Sequence, residues 1–180
     1  MRVLALVTDA FGGYGGIAQY NRDLLRALSD SDVISEIIVL PRIGTVGQAK
    51  LPKKVEQRAP IAHRSLYSIE AARLATLRAP FDLVFCGHLY LSPLAHGLAW
   101  VLGAQLWLQL HGIEAWTRPG KLAQRALNSA SFITAVSRYT RRQVLGWATI
   151  EPERIRVLPN TVRQFCHEAR GKNDREIICR

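Results

Sequence analysis

Residues 2–28 read "RVLALVTDAFGGYGGIAQYNRDLLRAL", and the fold is decided here. "RVLALVT" is a short, nearly unbroken apolar run, the pattern of a strand buried on both faces. From Gly16 to Ser29 the spacing puts Ile17, Tyr20, Leu24 and Leu28 on one helical face, with Gln19, Arg22, Asp23 and Arg26 opposite. Between the two elements, Gly12, Gly13, Gly15 and Gly16 fall within five positions. Glycines this dense between a strand and a helix let backbone N–H groups approach a ligand, often a phosphate.

The alternation continues along the chain. "EIIVLP" (36–41) is a second strand closed by Pro41, and residues 42–54 read as a basic loop with a possible strand at "VEQRA" (55–59). A helix spans residues 65–78, stopping near Pro80, and "DLVFCGH" (82–88) is another buried strand. Residues 91–102 form a helix with Pro93 in its first turn and Gly103 just past its end. "QLWLQLH" (105–111) is a strand and residues 121–130 a helix. "FITAVS" (132–137) is a strand whose Ser137 caps a helix reaching Trp147, and "IRVLPN" (155–160) is the last strand, after a short turn at 151–154. Strand runs alternating with helices predict a single α/β domain, a Rossmann-like, doubly wound and mostly parallel sheet with helices on both faces. Ligands of such sheets bind beyond the carboxyl ends of the strands. The glycine loop, His88, His111, Ser137 and Asn160 all fall there.

Length and composition agree with a single globular domain: 180 residues, 48% apolar and 21% charged. The start has no signal-peptide pattern and no run is long enough to span a bilayer, which predicts a cytoplasmic protein. Cys86, Cys166 and Cys179 are far apart, and the Cys166–His167 pair lacks the second half of a zinc site, so no metal is expected. Net charge is +10, concentrated in residues 42–64 and 118–142. Such a field attracts polyanions: nucleic acid, anionic lipid or phosphorylated substrates. Nucleic-acid binding has no motif behind it, and aromatics do not alternate with the basic residues.

The glycine loop admits three readings. Gly13-Tyr14-Gly15-Gly16-Ile17-Ala18 satisfies a dinucleotide fingerprint, although the turn before it is long and no carboxylate ends the second strand; Arg42 there would face a 2′-phosphate, giving an NADP-binding module. A purely structural turn is the second reading.

The third comes from resemblance. "GGIAQYNRDLLRAL" (15–28) resembles the opening of glycosyltransferase family 4, through Gly15, Gly16, Ile17, Tyr20, Leu24, Leu25 and Leu28. "LQLHGIE" (108–114), "ITAVSRYTRRQV" (133–144) and "RIRVLPNTV" (154–162) are similar to three further family elements in the same order. The resemblance implies the GT-B fold, two Rossmann-like domains across a cleft. It also implies metal-free transfer of a sugar from a nucleotide-sugar, with retention of configuration, to a saccharide or lipid-linked acceptor. Only the N-terminal, acceptor-binding half is matched, as residues 1–162. Residues 163–180 are then a tail or the start of the crossover to a missing C-terminal donor-binding domain. The spacing of Glu168 and Glu176 equals the family's paired donor glutamates, but the context is wrong and chance explains it.

By the same resemblance His111 is the catalytic-site residue that contacts the donor sugar, and His88 and Tyr90 border the acceptor pocket. Gly15 and Gly16 offer N–H groups to the diphosphate. Glu114 suits sugar hydroxyls and Trp116 a sugar face, while Asn160 serves the bend toward the second domain. Alone, the chain is expected to fold without transferring sugar. Peripheral contact with anionic membrane is a further expectation.

Overall fold

A computed structural model describes residues 1–44 and 50–160. The expected domain boundary, Cys166, His167, Glu168, Glu176 and Cys179 lie outside the described residues.

The described residues form seven strands and six helices, and those foreseen from the sequence fall in the predicted order. The elements are β1 (Arg2–Val7), α1 (Gly16–Asp30), β2 (Glu36–Pro41), β3 (Val55–Gln57), α2 (Arg64–Leu77), β4 (Leu83–Cys86) and α3 (Ser92–Leu102). β5 (Gln105–Leu110), α4 (Ile113–Trp116), α5 (Lys121–Ser129), β6 (Phe132–Ala135), α6 (Arg138–Leu145) and β7 (Ile155–Val157) follow. Two elements went unforeseen, the four-residue α4 and a 3-10 turn at Leu89–Leu91. Both are too short to carry a hydrophobic period. The stops are chemically explicit. Gly103 takes the left-handed conformation (φ 62°) that ends α3, and the Ser137 hydroxyl accepts the Thr140 N–H at 3.0 Å to start α6.

All six strand pairs are parallel, in the order β3-β2-β1-β4-β5-β6-β7. The chain winds outward from β1 through β2 to β3, returns to lay β4 beside β1, and winds the other way. Direction therefore reverses between β1 and β4, and the crevice at this switch point is where open parallel sheets bind ligands. The glycine loop follows one of these strands and Gly87–His88 the other.

One sheet face packs α2, α3, α5 and α6, through Tyr67, Leu74, Leu98, Leu127 and Val144, against Leu4, Leu6, Leu40 and Leu108. The other packs α1 through Leu25 onto Val3, Ala5, Ile37 and Phe85. Beyond α1, the second face opens below β5 and β6 into a groove of about 630 Å³ beside Trp107, Phe132 and Arg156.

The buried stripe of α1 is not the one its apolar spacing suggested. Ala18, Tyr20, Asn21, Leu25 and Ser29 are buried, whereas Ile17, Leu24 and Leu28 are half-buried. The helix is rotated because Asn21 turns inward, its side-chain N–H donating to the Asp9 carbonyl at 2.7 Å. A buried polar partner here outweighs one more apolar contact.

Candidate functional site

The glycine loop is a clamped structure with one open end. Arg22 donates from Nη1 to the carbonyls of Ala10 (2.9 Å) and Gly13 (2.6 Å), and Gln57 bonds both the N–H (3.1 Å) and the carbonyl (2.6 Å) of Phe11. With Asn21, these side chains fix the loop from two elements, α1 and β3. Arg22, assigned by spacing to the solvent face, is thus a loop brace, and Gln57 lay in a segment with no motif. Gly13 is dictated by packing: a Cβ there would stand 1.6–2.0 Å from the Asp9 carboxylate. Gly15 and Gly16 are different. Gly15 adopts φ 100°, and a Cβ on either residue would meet nothing within 4 Å.

Gly15 is also the N-cap of α1 and supplies no capping side chain, and the first turn holds no acidic residue. The first N–H groups of a helix have no intrahelical partner. They point outward here from a concentration of positive partial charge, beside a flexible glycine pair that leaves room for an anion.

Across the switch point, two histidines meet. His88 follows β4 and is buried, its Nδ1 accepting the Tyr90 N–H at 3.3 Å. His111 follows β5, and its Nε2–H donates to the Gly87 carbonyl at 2.9 Å. The ring centroids are 6.2 Å apart, and Tyr20 of α1 meets His111 edge-on at 5.1 Å. A carbonyl partner can only accept, so Nε2 carries hydrogen and the neutral ring keeps Nδ1 as a free acceptor. The backbone bond and a ligand-binding role are therefore compatible, and the first fixes the tautomer needed for the second.

Tyr20 itself is anchored. Its hydroxyl donates to Gln109 Oε1 at 2.8 Å; Thr134 bonds the same oxygen, and the Trp107 indole N–H donates to Thr134 at 2.8 Å. This buried polar chain positions the ring against which His111 rests.

Glu114 does something other than wait for a sugar. Its two oxygens accept the N–H groups of His111 (2.6 Å) and Gly112 (2.9 Å), so it organises the turn into α4. Trp116 packs edge-on against Tyr139 at 5.1 Å, and the indole N–H of Trp147, just past α6, donates to the Ala115 carbonyl at 3.0 Å. Ser137 caps α6, as its position suggested. Beside this cluster lies a groove of about 500 Å³ lined by Tyr90, Pro93, Glu114, Pro119, Lys121 and Leu122.

Burial holds both histidines below the usual imidazole value of 6.5. For His111 the Gly87 carbonyl and Glu114 oppose burial, while His88 adds to it. As pH falls, the unfolded chain then takes up protons before the folded one. The histidines' contribution to stability is complete above about pH 6.5 and is lost progressively below it. Thermal unfolding between about pH 7.5 and pH 5.5 should show the midpoint falling on acidification. The fall should be shallower when His88 and His111 are both replaced by glutamine. Glu56 and Glu70, held below 4.5 by Arg78 and Arg73, titrate outside this window. Asp9, raised by burial, acts in the opposite sense but is common to both proteins. Equal slopes would contradict the assignment.

The family model for glycosyltransferase family 4 matches residues 14–163. The chain belongs to that family. Among curated proteins none matches its sequence. Solved glycosyltransferases with the GT-B fold share its architecture. One is the lipopolysaccharide outer core galactosyltransferase WaaB in its apo form, with 18% identity and a TM-score of 0.58 over 90% of this chain and 46% of that one. Another is Alr3699/HepE from Anabaena in complex with UDP and glucose, with 17% identity and a TM-score of 0.64 over 90% of this chain and 45% of that one. HepE in complex with UDP-glucose aligns with a TM-score of 0.61. The family 4 chain thus spans a little under half the length of these proteins.

In this family 4 domain the carboxyl edge of the sheet carries Gly15, Gly16, His88, Tyr90, His111 and Glu114 together, although four elements supply them. The NADP reading loses its phosphate ligand. Arg42 is turned onto the Ala62 carbonyl and over the Tyr67 ring, 6.0 Å from its centroid. Asn160 is exposed beyond β7, where the preceding Leu158 and Pro159 lie near Tyr20 and Leu24 of α1. Among the described residues no three His, Cys, Asp or Glu side chains gather as a metal site requires.

Proposed function

We propose that this chain is the acceptor-binding half of a retaining glycosyltransferase. It moves a sugar from a nucleotide-sugar to a saccharide or lipid-linked acceptor, and needs a second, donor-binding lobe for turnover. The observation that carries this reading is the pairing of an uncapped, glycine-lined helix N-terminus with a neutral histidine of fixed tautomer across the switch point. The bare N–H groups at Gly15, Gly16 and Ile17 suit the charge that develops on a leaving diphosphate. His111 Nδ1 accepts a hydrogen bond from a sugar hydroxyl and orients the ring at the reacting carbon. His88 and Tyr90 border the acceptor, in the groove shared with Lys121 and Leu122. Glu114 serves by holding the backbone of His111 and Gly112, with its remaining lone pairs open to a hydroxyl. No metal is required by this arrangement of charges. The nucleoside diphosphate and UDP-glucose in the HepE complexes support a nucleotide-sugar as donor class.

Release of nucleoside diphosphate from UDP-glucose and UDP-galactose tests the reading. The 180-residue chain alone should release none above the uncatalysed background. Joined to a donor-binding lobe of the same family, the chain should turn over at least one nucleotide-sugar. Robust turnover by the isolated chain, or none by the joined protein with any nucleotide-sugar, would overturn the proposal.

A further inference from the structure

We propose that the outer face formed by α2, α3 and α5 is a docking surface for an anionic lipid bilayer. The inference deepens the reading of a lipid-linked acceptor and rests on it for the choice of partner; the surface itself is carried by other observations.

The first is α2. It turns Tyr67, Ala71, Leu74 and Ala75 to the sheet, so its outer side should be polar. Instead Leu66, Ile69 and Leu77 share one outer sector, within about 80° at 100° per residue, and each is more than half exposed. Arg73, neutralised by Glu70, lies among them, so the outer side of α2 carries three exposed apolar side chains around one internal ion pair, more apolar surface than a solvated helix needs.

The second is α3, which packs beside α2 on the same sheet face. No Asp, Glu, Lys or Arg occurs anywhere from Leu83 to Ile113. The outer side of α3 presents Trp100, 80% exposed, with Val101 beside it. An exposed indole on an uncharged helix is suited to the boundary between lipid headgroups and acyl chains.

The third is charge. Exposed Leu122 on α5 is flanked by exposed Lys121 and Arg125. From Ala115 to Ile150 there are six basic residues, Arg118, Lys121, Arg125, Arg138, Arg141 and Arg142, and no acidic one. On α2, Arg64 is exposed, and the helix's single carboxylate, Glu70, has both oxygens bonded by Arg73 at 2.6 and 2.8 Å. An apolar centre with a basic border and no free carboxylate complements negative headgroups, whereas a generic protein partner has no need of one-signed charge. No helix of the described residues is long and apolar enough to cross a membrane, so contact would be lateral.

The placement has a consequence for the site. Pro93 and Leu122 belong to elements of this face and also line the groove beside Tyr90 and Glu114. A chain lying on this face holds that groove at the bilayer margin, where the head of a membrane-anchored acceptor enters without leaving its lipid.

Flotation of the 180-residue chain with phosphatidylcholine vesicles, and with vesicles also containing phosphatidylglycerol, tests the surface at low and high salt. The chain should float with the anionic vesicles at low salt and not with phosphatidylcholine alone. The pairs Trp100→Ser with Val101→Ser, and Ile69→Ser with Leu77→Ser, should each lower the bound fraction about tenfold, and Lys121→Gln with Arg125→Gln should do the same while weakening the salt dependence. Val33→Ser with Phe132→Ser, at the groove on the opposite face, should float like the parent. All these positions are exposed, and unchanged circular dichroism melting verifies the fold. Absence of flotation by the parent chain overturns the proposal, as does flotation that survives the apolar pairs. A concentration-dependent dimer abolished by the Trp100 pair, without flotation, assigns the face to a second copy instead. Donor turnover by the joined protein is scored in solution without vesicles. Flotation without turnover would keep the surface and remove the glycosyltransferase reading, and turnover without flotation would do the reverse.

Discussion

Gly13→Ala should destabilise the fold by roughly 1–3 kcal/mol, although it adds one methyl group and alanine is the better helix former. The new Cβ would overlap the Asp9 carboxylate at 1.6–2.0 Å. Asp9 is 7% exposed, and Gly44 closes its other side, with a Cβ position 2.9 Å from Oδ1. The carboxylate is therefore closed in on two sides, and one of its oxygens is buried without a hydrogen-bond partner among the described residues. The loop must shift, and Arg22 and Gln57 hold it from both sides. Gly16→Ala, three residues on, sits in open space inside the first turn and should be neutral or stabilising by up to about 1 kcal/mol. Urea unfolding of both variants separates the two kinds of glycine, and equal costs would show that the loop is looser than its contacts imply.

His111→Ala is expected to have the larger effect on function. In the joined protein, turnover should fall by about 10²-fold or more, because a donor or acceptor aimed at developing charge or at a reacting sugar contributes on that scale. Stability should fall only modestly, since one backbone bond and one aromatic edge contact are lost. Nucleotide-sugar turnover at saturating donor distinguishes positioning from simple binding: the proposed role lowers kcat, while a merely structural role lowers the variant's melting temperature and leaves kcat near that of the parent. His111→Gln, which can still donate to the Gly87 carbonyl, should recover stability before it recovers turnover.

Much of this architecture is legible in the residues themselves. Strand β1 is apolar from Val3 to Val7 because neighbours cover both its faces, and Gly103 and Ser137 end and begin helices for reasons visible in their residue types. What single-sequence reading misses is whatever depends on chain reversal in space. The order β3-β2-β1-β4 places His88 beside the glycine loop, yet nothing near His88 in sequence says so. Arg22 reads as a solvent-facing charge until the loop folds back under it. Gln57 lies 46 positions from its partner Phe11. Glu114 has the chemistry to grip a sugar, but its spacing two and three residues beyond Gly112 and His111 also suits it to hold their amides, and that is its observed contact.

The acceptor-side role of the carboxyl edge is tested most directly by amide-resolved NMR of the 180-residue chain titrated with UDP-glucose and with a panel of saccharides. The account predicts shifts confined to the amides of Gly15, Gly16 and Ile17, to the segment from Gly87 to Tyr90, and to the His111 ring, with Nε2 protonated throughout. Shifts that leave these positions unmoved while mapping to the groove beside Trp107 and Phe132 would contradict it.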